Sequence, residues 1–345
     1  MKRVVSWFQE NHREYPFRKD PQPYHIWVSE IMLQQTRIET VIPYYERFIR
    51  EVPDVPSLAL IPEERLYKLW EGLGYYSRVR NMKKAALQLV SEGQRDLPDS
   101  YDALIKLPGI GSYTAAAIAS IAFHERVPAV DGNVLRVYQR FTGSFDDVLK
   151  EKTKKEVTSA LKQYLDEFQL DAGLFNQGMM ELGEVVCLPN GAALCSECPL
   201  REDCRAFSEG LTGVLPVRKL RQEKLTEQKT ILIFRQGEKT AVVKRTAKDV
   251  LSGMYGFYML EGHRTESEVA SFLEGQGFPA DEIILLQDKK HVFTHRIWDM
   301  KAYLVRLMSE RSYEALDHVP LVFADKKELA ETYALPKALQ KWEIE

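Results

Sequence analysis

Apolar side chains recur at helical spacing through the N-terminal part of the chain. Apolar positions three and four residues apart predict amphipathic helices, and they occur at Ile38, Val41, Ile42, Tyr45 and Ile49, then at Leu66, Leu69, Trp70 and Leu73. Prolines interrupt this pattern and divide it into short helices, at Pro53, Pro56, Pro62, Pro98 and Pro108. The pattern therefore predicts an all-α domain over residues 1–212.

A different pattern begins after residue 212. Residues 213–228 contain Gly213 and Pro216, become charged from Arg218 onward, and predict a linker. Beyond the linker, β-branched runs and one amphipathic run predict strands and a helix, at 229–235, 239–245, 267–274, 282–286 and 298–308. The first two runs flank a turn that contains Gly237, which indicates a β-hairpin. Residues 229–345 are therefore predicted to form a smaller α+β domain.

Composition supports two globular domains and gives little further direction. The chain has 345 residues, of which 45% are hydrophobic and 28% charged, as in ordinary globular proteins. The first apolar run ends at Phe8, and no run reaches the roughly 18 apolar residues of a membrane span. We expect a cytoplasmic monomer that does not bind membranes. The formal net charge is −3, so global charge does not point to nucleic acid.

A glycine-containing turn separates two helix-like segments. Leu107-Pro108-Gly109-Ile110-Gly111 lies between 101–106 and 112–123. Two glycines around one apolar residue allow a turn that exposes backbone N–H groups beside a helix N-terminus, where phosphate binds favourably. Ser112 is predicted to cap that helix. The alternative is an ordinary tight turn between two helices, and the five residues alone leave both interpretations open.

All four cysteines lie in one short segment, at Cys187, Cys195, Cys198 and Cys204. A reducing cytosol argues against disulfides there and favours metal binding. Structural zinc sites usually contain two close pairs of ligands, whereas this segment has a single C-x-x-C with one cysteine on each side. Four thiolates at uneven spacing are typical of a [4Fe–4S] cluster. Zinc remains the alternative.

Several segments together resemble one family of repair enzymes. They are WVSEIMLQQT at 27–36, GLGYY at 72–76, LPGIGSYTA at 107–115, VDGNV at 130–134 and the four cysteines. In this order they resemble the MutY-type adenine DNA glycosylases of the endonuclease III, or helix-hairpin-helix, superfamily. The segments LSGMY at 251–255 and FTH at 293–295 resemble the Nudix-like C-terminal domain of that family. The resemblance implies a [4Fe–4S] loop at 187–204 and double-stranded DNA with A:8-oxoguanine or A:G mispairs as the partner.

The resemblance also implies a set of catalytic residues. They are Glu30 as general acid, Asp131 as the carboxylate that stabilises the sugar cation or bonds to it transiently, and Asn133, Tyr113 and Arg18 around them. Adenine needs a proton at a ring nitrogen before it leaves, so one protonated carboxyl and one carboxylate suit the reaction. Glu30 sits among apolar residues, which predicts burial and a raised pKa, whereas most glutamates are exposed. Asp131 is also a predicted helix N-cap.

Position 113 separates two branches of the superfamily. The lyase branch has a Lys there, and a phenol cannot form a Schiff base, so Tyr113 implies base removal without strand cleavage. The resemblance further assigns DNA contacts to the turn residues Leu107, Gly109 and Gly111, to Gln35 and Tyr75 as groups that insert into the duplex, and to Phe293, Thr294 and His295 as readers of 8-oxoguanine.

Three other functions compete with this hypothesis. An oxidised-pyrimidine glycosylase/lyase is disfavoured by Tyr113, and a non-enzymatic iron–sulfur DNA-binding protein is disfavoured by the pair of Glu30 and Asp131. A Nudix pyrophosphatase needs a Glu-rich metal-binding helix, and the helix near 265–274 lacks that cluster. Two departures from the family pattern are a gap between Cys187 and Cys195 that is one residue longer and the pair Met254-Tyr255 in place of Leu-Trp.

Overall fold

The computed structural model describes residues 1–219, 224–246 and 251–342. The chain forms two compact units. The first contains Met1–Leu60 and Arg80–Leu220, and the second contains Ile61–Val79 and Arg221–Glu345. The predicted linker falls partly at 220–223, outside the described residues. The sequence pattern indicated two consecutive domains, whereas the structure groups Ile61–Val79 with the C-terminal unit.

Helices make up the regular structure of the first unit. In chain order, the helices before residue 220 are α1 (Arg3–Asn11), α2 (Pro16–Lys19), α3 (Pro23–Leu33), α4 (Ile38–Glu51), α5 (Val55–Leu60), α6 (Glu63–Trp70), α7 (Ser77–Ser91), α8 (Tyr101–Leu104), α9 (Ser112–Ala122), α10 (Gly132–Thr142), α11 (Glu151–Glu167), α12 (Ala172–Val185) and α13 (Arg205–Ser208), with short 3₁₀ turns at Cys195–Glu197 and Arg201–Asp203. Of these, α6 lies in the second unit and α7 begins there.

Helix α3 is the most deeply buried helix around the site. It starts with Pro23 at its first turn, where a missing N–H costs nothing. Apolar residues occupy all sides of it, and Trp27, Val28 and Met32 are completely enclosed. The alanine-rich α9 packs closely against α3, because small side chains let the two backbones approach. The only charged side chain of α3, Glu30, is therefore forced into the interior.

A second group of helices supports the opposite wall. Helices α1, α10, α11 and α12 share a core of buried apolar residues that includes Val4, Leu161 and Phe175. Buried Asn176 on α12 accepts the backbone N–H of Ala129 at 3.0 Å and donates to the Val127 carbonyl at 2.9 Å. Those bonds hold the segment that leads into α10, so that α10 begins at a fixed place beside α12.

A mixed β-sheet organises the second unit. Its elements are β1 (Leu225–Gln236), β2 (Lys239–Lys244), β3 (Tyr255–Gly256), β4 (Tyr258–Glu261), α14 (Glu266–Gly275), β5 (Ala280–Leu285), β6 (Lys289–Val292), β7 (Arg296–Leu307), β8 (Ala315–Leu316), β9 (Val319–Pro320), β10 (Val322–Ala324) and α15 (Lys326–Glu331). The main strand order is β10-β2-β1-β7-β5, and β1 and β7 pair in parallel over their length. Strand β1 begins at Leu225, inside the predicted linker, because this parallel pairing extends to Arg296.

Residues 61–79 pack against the C-terminal part of the chain within the second unit. Glu64 on α6 forms an ion pair with Lys244 at 2.8 Å, and the Glu71 carboxylate accepts the backbone N–H of Leu335 at 2.8 Å. Gly253 has φ +86°, and a Cβ there would lie 2.7 Å from the Tyr67 hydroxyl, so only glycine fits this approach. The contacting residues are far apart in sequence, so no local sequence pattern predicts these contacts.

The predicted fold class is confirmed by these elements, with a helical domain followed by an α+β domain. The hairpin, the helix after it and the later strands lie where the sequence predicted them, each within a few residues. None of the helices in the described part of the chain combines the length and apolarity that a bilayer span requires.

Candidate active site

A cavity of about 1080 Å³ opens in the first unit between the helices α3, α9, α10 and α12. It brings together most of the residues that the sequence assigned to catalysis and base extrusion. Those that line it are Arg18, Glu30, Gln35, Gly109, Gly111, Tyr113, Asp131 and Asn133. This volume lies at the upper end of the range for small-molecule sites and has room for a purine.

Glu30 and Tyr113 form the deepest polar contact of the cavity. The Tyr113 hydroxyl donates to Glu30 Oε2 at 2.6 Å and also lies 3.0 Å from Met180 Sδ. Burial raises the pKa of Glu30 to about 7, and the charge of Asp131 adds to the rise. The Tyr113 hydrogen bond and the charge of Arg18 lower that pKa and so limit the rise. Glu30 is therefore able to carry and release a proton at neutral pH.

Asp131 lies at the N-terminus of α10, and it is the predicted N-cap. Its Oδ1 accepts the backbone N–H of Val134 at 2.8 Å, and its Oδ2 accepts Nδ2 of Asn133 at 3.0 Å. Burial raises the pKa of Asp131, while these hydrogen bonds and the charge of Arg136 oppose that rise. Donors and a helix N-terminus stabilise a carboxylate. The two carboxyl groups thus occupy different environments, one facing a phenol and one facing several N–H groups.

A chain of contacts runs along α10 from Asp131 to the cysteine segment. Arg136 is buried and donates from Nη2 to Asn133 Oδ1 at 2.9 Å and from Nε to the Cys187 carbonyl at 2.8 Å. Arg140, one turn later, donates from Nη1 toward Cys187 Sγ at 3.2 Å. The same helix therefore orients Asn133 at one end and contacts the cysteine segment at the other.

Arg18 reaches the cavity from α2 and is held from several sides. It forms an ion pair with buried Glu181 on α12 at 2.5 Å, and it donates to the Arg13 carbonyl at 2.8 Å. Its guanidinium also lies over the rings of Phe8 and Tyr15, 5.1 and 5.0 Å from their centroids. The position of Arg18 is therefore fixed before any ligand binds.

The turn at 107–111 has the form that its glycines predict. Gly109 has φ +79°, and a Cβ there would lie 2.5 Å from Cβ of Asn81, so the position requires glycine. Leu107 is buried and anchors the turn. The predicted cap is wrong: Gly111 is the N-cap of α9, no side chain caps it, and Ser112 is the first helical residue. The first N–H groups of α9 have no side-chain cap and keep their capacity to bind an anion.

Gln35 and Tyr75 share an unusual backbone conformation. Both have positive φ, at +58° and +49°, although neither is glycine, and both are exposed. Such residues cost of order 1–3 kcal/mol and cluster at functional sites. Gln35 lies in the turn after α3, in the first unit, rather than on a helix face. Tyr75 lies in the second unit, and the guanidinium of Arg78 stands 5.4 Å from its ring centroid.

Phe293, Thr294 and His295 form the connection between β6 and β7. The Phe293 ring packs against Trp298 with 4.9 Å between centroids, and its backbone N–H donates to the Arg296 carbonyl at 2.8 Å. Thr294 Oγ1 lies 2.8 Å from the Tyr75 hydroxyl, within the same unit. His295 is exposed. The loop is therefore supported by an aromatic pair and presents polar groups at its tip.

The four cysteines line one small cavity together with Arg140 and Arg201. None is in a disulfide. Burial raises the pKa of the Cys198 thiol to about 11, while a hydrogen bond from the Leu200 N–H opposes the rise. Among the described residues, no three His, Cys, Asp or Glu side chains converge closely enough to hold one metal ion.

Three residues of the site were missed by the sequence reasoning: Arg136, Glu181 and Arg140. Arg136 follows Asn133 by one helical turn, and that spacing was a usable signal. Glu181 stands in the apolar run Met179-Met180-Glu181-Leu182, the same kind of signal that pointed to Glu30. For Arg140, the contact with Cys187 arises only from the tertiary structure.

Two family models match separate parts of the chain. Residues 28–166 match the HhH-GPD family, described as "HhH-GPD superfamily base excision DNA repair protein", and residues 230–342 match the NUDIX domain. An adenine DNA glycosylase of Buchnera aphidicola subsp. Schizaphis graminum (strain Sg) is 30% identical over 343 residues, which are 98% of this chain and 96% of that relative. The chain belongs to the adenine DNA glycosylase family.

A second family member matches a shorter stretch of the chain at higher identity. The adenine DNA glycosylase of Mus musculus is 40% identical over 221 residues, which are 61% of this chain and 42% of the mouse protein. The chain spans less than half the length of that relative. The resemblance to MutY-type enzymes that the sequence motifs indicated is thereby confirmed.

Solved structures support the helical fold. The structure of a thermostable thymine-DNA glycosylase matches with a TM-score of 0.53 and 23% identity, covering 60% of this chain and 94% of that one. A non-covalent endonuclease III–DNA complex matches with a TM-score of 0.52 and 24% identity, covering 61% and 94%. At this identity the two matches show a shared fold. Family membership places the chain in the MutY branch.

Proposed function

We propose that this protein is a monofunctional adenine DNA glycosylase of base-excision repair, acting as a monomer on double-stranded DNA with adenine opposite 8-oxoguanine or guanine. The observation that carries the proposal is the burial of Glu30 beside Asp131 at one cavity, with the pKa of Glu30 raised to about 7. Family membership favours this function over an oxidised-pyrimidine glycosylase/lyase.

The reaction follows from the two carboxyl environments. Glu30 gives its proton to a ring nitrogen of the extruded adenine, and the bond between that base and the sugar breaks with its electron pair on adenine. Positive charge develops on the sugar, and the Asp131 carboxylate stabilises it. Ionised Glu30 then takes a proton from the attacking water. The products are free adenine and an abasic site, and Glu30 is protonated again.

Tyr113 serves this reaction as a hydrogen-bond donor. Its hydroxyl donates to Glu30 Oε2 and so restrains the carboxyl group. A phenol has no amine with which to attack the sugar, and the strand therefore stays intact.

Contacts to DNA are assigned to groups on exposed turns. Base extrusion costs a few kcal/mol of unstacking, which Gln35 and Tyr75 offset by occupying the space that the base leaves. The N–H groups after Gly109 bind a backbone phosphate. Phe293, Thr294 and His295 read the opposite base, because the cavity residues contact only the extruded adenine.

The four cysteines fit a [4Fe–4S] cluster. They line one small cavity together, and four thiolates around one cavity are the ligand set that such a cluster takes. Sulfur also accepts hydrogen bonds, from Arg140 to Cys187 and from backbone N–H groups to Cys198 and Cys204. Bound there, the cluster would fix the segment whose Cys187 carbonyl accepts Arg136.

A single-turnover assay tests the function. Wild-type protein should release adenine from duplexes with adenine opposite 8-oxoguanine or guanine, and much more slowly opposite thymine. Glu30→Gln keeps the shape and loses the proton, so release should fall by about 10²–10⁴-fold while duplex binding persists. A variant within threefold of wild type, which is roughly 0.6 kcal/mol of barrier, would remove Glu30 from the mechanism.

A further inference from the structure

Glu181 carries a buried carboxylate that the reaction above does not use. It lies on α12, and its side chain is 2% exposed, among apolar neighbours such as Met180 and Leu182. A buried carboxylate is unfavourable unless a cation and hydrogen bonds accompany it. The partners of Glu181 therefore indicate its role.

Both carboxylate oxygens of Glu181 contact arginines. Oε1 accepts the backbone N–H of Arg13 at 3.0 Å and Arg13 Nε at 3.2 Å. Oε2 lies 2.5 Å from Nη1 of Arg18, and the same nitrogen donates to the Arg13 carbonyl at 2.8 Å. Glu181, Arg13 and Arg18 thus form a closed set of contacts, and both Arg18 and Glu181 are among the residues that line the cavity.

The guanidinium of Arg18 acts on Glu30 through its charge. Its positive charge lowers the pKa of Glu30, against the larger effect of burial. An unbalanced guanidinium at the cavity wall would favour the ionised form of Glu30, which cannot protonate a base. A compensating negative charge next to Arg18 limits this effect.

We propose that Glu181 is a positioning residue that holds the Arg18 guanidinium at the cavity wall and balances its charge beside Glu30. The inference rests on the proposed glycosylase function. Glu181 is among the residues that line the cavity, but its side chain is 2% exposed and its carboxylate oxygens face Arg13 and Arg18, so the inference assigns it a role through Arg18. Its effect on base removal passes through Arg18 and reaches Glu30.

The test must separate the effect of Glu181 on Glu30 from the effects of other polar and charged groups around Glu30. Tyr113 faces it from α9 and Asp131 from the start of α10, and both remain unchanged when Glu181 is altered. His12 lines the same cavity from the end of α1. Glu184 lies one turn after Glu181 on α12.

Glu184 provides a matched control within this group. It forms an ion pair with Arg13 at 3.1 Å and has a half-exposed side chain. Burial raises the pKa of Glu184, and the charge of Glu39 on α4 adds to that rise. Replacing Glu184 removes one negative charge from the same helix and leaves the ion pair between Arg18 and Glu181 intact, although the charge of Arg18 also acts on Glu184.

The experiment measures single-turnover adenine release between about pH 5 and pH 9 with full-length protein. Release by wild type should fall above about pH 7, as Glu30 ionises. In Glu181→Gln, the amide keeps the shape of the side chain and an oxygen acceptor for the arginines, so Arg18 stays in place while the negative charge beside it is lost. The midpoint of the fall should move to lower pH by up to about one unit, the order of the effect of one uncompensated charge inside a protein. Because Glu184 contacts Arg13 and interacts with Arg18 only through its charge, Glu184→Gln should move the midpoint less than half as far as Glu181→Gln.

If Glu181→Gln does not fold, the variant Arg18→Gln tests the same inference. Removing the positive charge should move the midpoint to higher pH, and the double variant Arg18→Gln/Glu181→Gln should return it toward wild type. A merely structural role of Glu181 would lower release equally at every pH. An active wild type with an unmoved midpoint in Glu181→Gln, or with a shift to higher pH, would overturn the inference. A wild type inactive on adenine at every pH would instead overturn the proposed function.

Discussion

The hydroxyl oxygens of Tyr75 and Thr294 lie 2.8 Å apart in the second unit. The two residues are far apart in sequence, and each was assigned a separate DNA contact. In the structure, each hydroxyl satisfies the other, and the Tyr75 backbone is held in a left-handed conformation. A hydroxyl can donate one hydrogen bond and accept two, so Thr294 can contact an opposite base while it keeps its hydrogen bond to Tyr75.

Thr294→Ala should weaken the preference for 8-oxoguanine over guanine a few-fold. A neutral hydrogen bond is worth about 0.5–1.5 kcal/mol, so one hydroxyl cannot account for more. The measurement is the ratio of single-turnover rates and of affinities for the two opposing bases. Thr332→Ala, at the exposed end of α15, is the control and should leave the ratio unchanged. Tyr75→Phe frees Thr294 and should preserve the ratio; a loss equal to that of Thr294→Ala would mean that Tyr75 provides the specificity.

Glu30→Gln should stabilise the protein increasingly as the pH rises. In the folded state the pKa of Glu30 is raised from 4.5 to about 7. The contribution of protonated Glu30 to the free energy of unfolding is therefore fully present below about pH 4.5 and is lost as the pH rises to 7. The loss amounts to about 3 kcal/mol at most, and glutamine does not incur it.

The measurement for this variant is the difference in Tm from wild type at about pH 5 and pH 8. Glu10→Gln, on the exposed face of α1, serves as the control and should show no pH-dependent difference. If the Tm difference of Glu30→Gln is the same at both pH values, the Glu30 carboxyl is already ionised at pH 5. The acid role proposed for it would then fail.

Wild-type protein should leave an abasic site in an intact strand. Strand breaks should appear only after alkali, and borohydride should not trap the protein on DNA, because Tyr113 has no amine. Tyr113→Lys should lose the 2.6 Å hydrogen bond to Glu30 and gain some trapping. Tyr113→Phe controls for loss of the hydroxyl alone. Efficient trapping of unmodified protein would show that a different lysine acts as the nucleophile.

Purified protein should be brown and contain about four irons per chain. Cys198→Ser should lose the iron. Adenine release should then fall as well, because the loosened segment carries the Cys187 carbonyl that orients Arg136 and hence Asn133. Iron content by colorimetry and release by single turnover are compared in the same preparation. A colourless wild type with one zinc per chain would show that the longer first gap has changed the metal.

Local chemistry allowed the sequence to predict a large part of this protein. Helical periodicity and prolines define the helical domain, a two-residue period and Gly237 define the hairpin, and Asp131 before Asn133 is an N-cap because its short carboxylate reaches the next N–H groups. The absence of an amine at Tyr113 is also a property of the residue itself. Ser112 was mistaken for a cap because Gly111 already occupies that position.

Only the tertiary structure decided the features that depend on distant neighbours. The pKa of Glu30 rises because α9, α10 and α12 exclude water from it, and no local pattern contains that information. The same is true of the ion pair between Arg18 and Glu181 and of the grouping of residues 61–79 with the second unit. Periodicity reports which face of one element is apolar. Desolvation and charge pairing depend on which elements meet, and this is set by packing across the whole chain.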